Sequence, residues 1–386
     1  MDPVIIAGGA MTPFNRRKDG SSWRDWARQA FEAALADANL ERSDIDALVV
    51  ASESDFFTLQ LNPASVLADD LALFGKPVMR VEGGGASGHL AVQAAVMQVL
   101  SGQAARVAVL GVEALAAHLP GTTVSALYGL SFDAWTDGMT GVDSTALYAL
   151  SALAFQERTG ASESDFAAVA VRNRDHARDN KFAHLPLEIS VQDVLSSPMI
   201  STPYHRLDCS PLSDGAACLI VGRGAGLPHA GRDRARLVGM GAANDRVRLG
   251  ERTDPGYFGA KQIAAARAIG SAGGALSDID IAEVYDSYSG AQLQAIEALG
   301  LSDQLLADER AGRFGAQGSL PVNLSGGLLG QGAPVGATGV AQVLTIARQL
   351  EGRYWGRRPD RTPRRGLVDT HGGIATLCAV SIVEAP

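Results

Sequence analysis

Two short segments of this 386-residue chain occur twice, in the same order. Ser43-Asp44-Ile45-Asp46, leading into an apolar run, returns loosely as Ser277-Asp278-Ile279-Asp280. Gly85-Ala86-Ser87-Gly88 returns as Gly336-Ala337-Thr338-Gly339. Each tetrapeptide opens an apolar helical stretch, His89 to Leu100 and Val340 to Leu350, and each stretch is followed by a β-rich run, Arg106 to Gly111 and Gly366 to Asp369. Chance supplies a single tetrapeptide match easily, but not the shared order and context. The chain is therefore expected to hold two similar halves, residues 1–230 and 231–386, with an inserted segment at about 115–180 rich in Ala, Tyr and Gly.

Local patterns fill in the halves. Val4 to Ala7, Asp46 to Ala51, Val107 to Val112 and Ala216 to Val221 read as buried strands of the first. The spacing of Trp23, Ala27, Ala30, Phe31, Ala34 and Ala38 predicts an amphipathic helix over residues 22–39, and Pro63 to Leu73 a second. The other half reads as strand (Arg234 to Val238), helix (Gly259 to Ala272), strand (Ile281 to Tyr285), helix (Ala291 to Leu299) and a last strand (Thr376 to Glu384). Alternating strands and helices imply α/β layers with mostly parallel pairing.

Composition narrows the function. With 46% hydrophobic and 19% charged residues the chain can bury a sizeable core. Its 33 Lys+Arg against 42 Asp+Glu give a net charge of −9 with no basic block, which disfavours nucleic acid as the main partner. No apolar run reaches the ~18–20 residues of a membrane span, and the first residues lack the basic-then-apolar order of a signal peptide. A cytoplasmic location is expected. Cys209, Cys218 and Cys378 make neither a disulfide framework nor a Cys-x-x-Cys metal motif, and are expected to pack in the core; no metal site is read. The 44 glycines cluster at 83–88, 326–339 and 372–373, which marks tight turns or close backbone approaches.

The order of Thr12-Pro13-Phe14, Gly85-Ala86-Ser87-Gly88, Ser213-Asp214-Gly215-Ala216-Ala217, Val322-Asn323-x-Ser325-Gly326-Gly327 and Gly332-Ala333-Pro334-x-Gly336-Ala337-Thr338-Gly339 resembles the thiolase superfamily. It is similar above all to the sterol-carrier type and its bacterial lipid-transfer relatives. Over nearly the whole chain, the resemblance implies a duplicated five-layer αβαβα thiolase fold, usually a homodimer, acting on coenzyme A thioesters with no other cofactor. Its catalytic positions depart from the family. Gly85 stands where thiolases carry the nucleophilic cysteine, and Ala333 where they carry the histidine of Gly-His-Pro. His371-Gly372-Gly373 stands for the second cysteine motif, and Tyr285-Asp286-Ser287-Tyr288 for His-Asp-x-Phe.

Acyl transfer through a covalent thioester needs an activated nucleophile, which neither Gly85 nor Ala333 supplies. Retro-aldol cleavage of a 3-hydroxyacyl thioester needs only a base, an acid and oxyanion donors. Tyr285 and His371 are the acid–base candidates, the backbone N–H groups of Gly85 and Gly373 the candidate oxyanion donors. Tyr288 reads as packing, Asp286 as a cap of the helix that follows it and His89 as structural, while His118 has no assigned role. The pattern resembles thiolase-fold aldolases of bacterial steroid side-chain degradation, which lack the cysteine, use tyrosine and work with an OB-fold, zinc-ribbon partner. That resemblance implies a bulky acyl group such as a steroid side chain. Two alternatives stay open: a catalytically silent acyl-CoA-binding subunit, and an acyltransferase with an unrecognised catalytic residue. Arg172 and Arg174 are among the candidates for coenzyme A contacts.

Overall fold

The computed structural model describes residues 3–16, 19–224, 227 and 233–386. The expected boundary at 230/231 lies outside the described residues. Nine strands form one sheet: β1 (Val4–Met11), β2 (Ala47–Ala51), β3 (Val78–Val81), β4 (Arg106–Ala114), β5 (Asp214–Gly222), β6 (Arg236–Asn244), β7 (Ile281–Glu283), β8 (Arg365–Gly372) and β9 (Leu377–Glu384). Their order is β3-β2-β4-β5-β1-β6-β9-β8-β7. Read inward from either edge, the two sets follow one plan. The outermost place of the second set, held by β3 in the first, is taken by Val322, which makes a parallel bridge to Ala282 of β7. The two sets join through the antiparallel pair β1–β6.

Pairing departs from the mostly parallel expectation: within this sheet three strand pairs are parallel and five antiparallel. The four central strands, β5, β1, β6 and β9, each run against both of their neighbours, and the parallel pairs lie toward the two edges. β9 follows β8 through a tight hairpin rather than a crossover helix, which forces the antiparallel sense.

Strand periodicity sorts side chains between layers. Val4 and Ile6 of β1 and Val107 and Val109 of β4 face a central core, whereas Ile5, Ala7, Ala108 and Leu110 face outward. The outer face of the first set is covered by α1 (Trp23–Ala38), whose buried residues include all six that the spacing marked. Ser22 caps it by accepting from the Asp25 amide. The outer face of the second set is covered by helices that include α5 (Gly259–Ala272) and α6 (Ser289–Ala298). Between them lie α2 (Ser87–Ser101) and α7 (Val335–Leu350), the helices that the repeated tetrapeptides open. Every residue of α7 is buried, as a helix enclosed on all sides requires. Five layers result. The tetrapeptides meet where the central helices cross: a Cβ on Gly88 would lie 2.7 Å from Gly336 O, and one on Gly339 2.3 Å from His89 N. Repetition in sequence is thus contact across the pseudo-symmetric centre.

Residues 115–180, expected as an insertion, contain α3 (Ser144–Thr159) and α4 (Glu163–Ala177). Among the described residues no helix is long and apolar enough to cross a membrane.

One buried ion pair ties the outer layer to the site. Lys261 Nζ of α5 lies 2.6 and 2.5 Å from the carboxylate oxygens of Asp369 on β8, both side chains fully buried. Asp369 also accepts from the Tyr285 amide at 3.3 Å. Removing one partner leaves an uncompensated charge in the core. Lys261→Met should therefore lower unfolding free energy by about 3–5 kcal/mol in chemical denaturation. A smaller loss in Lys261→Met/Asp369→Asn than in Lys261→Met would show that the orphaned charge is the cause.

Candidate active site

The glycine clusters of the two halves pack backbone to backbone. A Cβ on Gly372 would stand 2.2 Å from Gly83 O, and one on Gly84 3.2 Å from Gly372 Cα. A Cβ on Gly85 would stand 2.3 Å from His371 O and 2.4 Å from the Tyr285 hydroxyl. No side chain fits at position 85 while β8 and Tyr285 hold these places. The Tyr285 ring packs against Leu328 and Ala333. One phenol thus lies between the two positions that the sequence singled out as emptied.

Beside it opens a cavity of about 920 Å³, lined among others by Gly85, Tyr285, Ala333, His371 and Gly373. The structure brings together the sequence-predicted Gly85, Tyr285, Ala333, His371 and Gly373. The Gly85 amide heads a short turn running into α2, where no preceding turn supplies an acceptor. Gly373 sits in the β8–β9 turn at φ +60°.

His371 is fully buried, its ring centroid 4.6 Å from that of Tyr285. Its Nε2 lies 2.7 Å from Tyr148 Oη, which also donates to Gly373 O at 2.6 Å. The single tyrosine proton goes to the carbonyl, so Nε2 carries hydrogen and Nδ1 is bare; Nδ1 has no hydrogen-bond partner. Burial, with Lys261 and Arg252 nearby, holds the imidazole well below its ordinary pKa. This weighs against His371 acting as a charged proton donor, one of the acid–base roles expected of it. Tyr285 moves the other way, its pKa raised well above 10 first by burial, then by neighbouring Tyr148, Glu53 and Asp286.

Three further expectations are corrected or extended. Cys209 packs against the core but also lines the cavity, which the sequence did not suggest. Its thiol is pushed up to about 12 by burial and by Asp208, so it lacks thiolate character. Asp286 caps a helix, but not α6: it accepts from the amides of Leu328 (2.7 Å) and Leu329 (3.4 Å), in the turn at 327–331, and from Asn173 Nδ2 (2.7 Å). Tyr288 packs on Tyr148 and Tyr204 yet also reaches the cavity, its hydroxyl 2.8 Å from Thr145 Oγ1. His89 is buried between Thr370 and Ser381, away from the cavity lining, and Cys378 and Cys218 are buried in strands. His118 is exposed, outside that lining.

Sequence reasoning missed Glu53. Its carboxyl lines the cavity next to Gly84, with Oε2 unpartnered. Burial and the nearby Glu113 and Glu82 raise its pKa well above the ordinary value, against the lowering effect of a Ser131 hydrogen bond. Glu113 behind it accepts from Ser52 Oγ (3.0 Å), Glu53 N (2.7 Å) and Gly336 N (3.1 Å), and burial pushes it up to about 7. No motif marks a lone Glu after a strand. Arg174 lines the cavity, whereas Arg172 pairs with Glu309 outside it. Two exposed arginines, Arg16 and Arg206, and the half-buried His184 complete the polar wall.

Residues 4–195 match the family model described as Thiolase, N-terminal domain, and residues 241–385 the one described as Thiolase C-terminal domain-like. The chain is 33% identical over 386 residues to an acetyl-CoA acetyltransferase of Methanothermobacter thermautotrophicus, with 99% of each covered. It is 28% identical over 382 residues to sterol carrier protein 2 of Oryctolagus cuniculus, covering 90% of this chain and 66% of that protein. Among solved structures it is similar to the Ltp2-ChsH2(DUF35) aldolase, at a TM-score of 0.82 and 26% identity, over 99% of this chain and 98% of the other.

Two predictions follow from the geometry. Gly85→Ala should cost about 1–3 kcal/mol of stability, whereas Gly270→Ala, in α5 with open space at its Cβ, should be neutral or stabilise by up to about 1 kcal/mol; denaturation midpoints distinguish them. The second concerns pH. Glu113 and Asp286 are pushed up to about 7 and Glu283 to about 8, so the folded state holds protons that the unfolded chain releases near 4. Their stabilisation is complete at low pH and is lost as pH rises through 7 and 8. Buried His89 and His176, lowered to about 3 and about 4, contribute in the opposite sense, but that gain is complete above 6.5. The melting temperature should therefore fall between pH ~6.5 and ~8.5, and fall less in Glu283→Gln.

Proposed function

The chain belongs to the thiolase superfamily, of the sterol-carrier type, and we propose that it cleaves 3-hydroxyacyl coenzyme A thioesters by a retro-aldol reaction. The observation that carries this reading is the Tyr285 hydroxyl standing where a side chain on residue 85 would project. The place of a nucleophile is occupied by a proton donor.

Each step uses a group already placed. The thioester carbonyl faces the amides of Gly85 and Gly373, preorganised donors for an enolate oxygen. Glu53 takes the proton from the 3-hydroxyl. Its raised pKa makes it a stronger base than an exposed carboxylate once it is ionised. The Cα–Cβ bond breaks, its electrons pass into the thioester enolate, and the Cβ fragment leaves as a carbonyl compound. Tyr285, held as a neutral phenol, gives its proton to Cα, and the proton on Glu53 returns to the phenolate. His371 and Tyr148 hold the 373 turn in place through their linked hydrogen bonds. Exposed Arg16 and Arg206 suit the phosphate end of coenzyme A.

The likeness to the Ltp2-ChsH2(DUF35) aldolase supports a DUF35-type partner, of the OB-fold, zinc-ribbon kind. The exposed edge of β3, with Met79 and neighbouring Phe74 open to solvent, suits a homodimer contact. A cytoplasmic location and a bulky, steroid-like acyl group belong to the same reading; the cavity is large enough for one.

A second reading, acyl transfer, is favoured by the acetyltransferase relative. It would need Cys209 or another cavity residue as nucleophile, and a thiol near pKa 12 is a poor one.

The test supplies 3-hydroxyacyl-CoA to the full chain, with and without a DUF35 partner, and follows products by mass spectrometry. A shorter acyl-CoA and a carbonyl compound are expected. Tyr285→Phe and Glu53→Gln should each lower kcat by about 10²–10⁴-fold, and His371→Ala should also lower it. Cys209→Ser and iodoacetamide should leave the rate unchanged, and thiolysis of 3-ketoacyl-CoA should be undetectable. A covalent acyl adduct in the intact mass would establish acyl transfer instead. Coenzyme A binding without any turnover would mark a silent subunit.

A further inference from the structure

Arg174 is the anomaly of the cavity wall. It lies on α4 and is 1% exposed, yet it lines the cavity. Its hydrogen bonds are two long ones, Nη1 to Ala170 O and Nη2 to Cys209 O, each at 3.4 Å. Its Nε is buried without a partner. Among the described residues no carboxylate lies within salt-bridge distance of it. The acids closest in influence, Asp208 and Asp286, are committed elsewhere. Asp208 accepts from Ser289 Oγ (2.6 Å) and His205 N (2.9 Å), and Asp286 caps the 327–331 turn.

Neighbouring arginines behave differently. Arg172 pairs with Glu309, Arg178 with Asp175 and Glu188, and Arg158 with Asp254 and Glu297. A guanidinium cannot shed its proton to escape burial, so an unpaired one is costly unless a ligand brings the counter-charge. Its planar fork matches a carboxylate in two parallel hydrogen bonds. A neutral ketone or hydroxyl would fill one donor and leave the charge uncompensated. The phosphates of coenzyme A are better served by exposed Arg16 and Arg206 than by a residue closed off from solvent. Much of the remaining lining is apolar, including Phe132, Leu187, Ile200, Leu207 and Val335.

We propose that Arg174 binds a carboxylate carried by the acyl group, so that the cavity selects carboxylated acyl thioesters over those ending in hydrocarbon. This rests on the reading of the cavity as an acyl-CoA site, and it specifies the class of acyl group.

Equilibrium binding tests it without turnover, so the outcome is separate from whether carbon–carbon cleavage occurs. Succinyl-, glutaryl- and adipyl-CoA are titrated into the full chain, each beside its methyl-ended counterpart of equal length, butyryl-, valeryl- or hexanoyl-CoA. At least one diacid should bind tenfold or more tightly than its counterpart. R174M should abolish that preference and leave the methyl-ended thioester unchanged, while R174K, keeping the charge without the fork, should retain part of it. Equal affinities across all three pairs in the unmodified protein would overturn the proposal. So would an R174M that weakens diacid and methyl-ended thioesters alike, which would place Arg174 on coenzyme A. Should R174M fail to fold, the comparison in the unmodified protein and R174K decides.

Discussion

The site depends on a contact between backbones. Residues 83–85 from one half and 371–373 from the other approach so closely that a Cβ at Gly85 or Gly372 would fall within 2.3 Å of a carbonyl oxygen. Such contact is open only to glycine. It carries the Gly85 amide, at the head of a buried helix, toward the β8–β9 turn that presents Gly373. The same closeness removes the room a nucleophile would need. The closeness of these amides, which the proposed reaction uses as oxyanion donors, and the missing side chain are two consequences of one packing arrangement.

Around that contact, burial drives ionisable groups toward neutrality. The phenols of Tyr148 and Tyr285 and the carboxyls of Glu53 and Glu113 are pushed up, and the imidazole of His371 is pushed down. The cost of desolvation sets all of these directions. An enolate forming there would meet few competing negative charges and would draw on fixed amide dipoles in a medium that screens them weakly. Nucleophilic catalysis asks for the reverse, a stabilised thiolate, and the one thiol in the cavity is moved away from that state.

The duplication was legible because it lies in local signals: helix-opening glycines, capped turns before strands, and apolar spacing. These survive in one dimension, and the strands and helices they mark are present. Pairing sense was not legible, because whether a strand runs with or against its neighbour is set by the length and course of the connections, as the β8–β9 hairpin shows. Tyr285, His371, Gly85 and Gly373 could be singled out because they fall within motifs. Glu53 could not, and Arg174 could not be told apart from Arg172. A glutamate after a strand and an arginine on an amphipathic helix look like solvated surface in sequence. What sets them apart is the partner each lacks once the chain has folded, and that is a property of three-dimensional packing alone.

Loss of a catalytic cysteine is commonly read as loss of activity, yet the surroundings of position 85 are closely packed and ordered. A relaxed site fills with unrelated side chains or collapses. Here both emptied positions are small, and a single larger residue, Tyr285, packs against Ala333 and brings its hydroxyl to the place a residue-85 side chain would take. Its amide is held by Asp369, which is neutralised in turn by Lys261 from the outer helical layer. A buried ion pair is an expensive way to hold a tyrosine that only fills space. The proposed proton transfer from Tyr285 would require the phenol to stand within tenths of an ångström of a reacting carbon, a demand that such an anchored backbone meets and a mere packing residue does not impose.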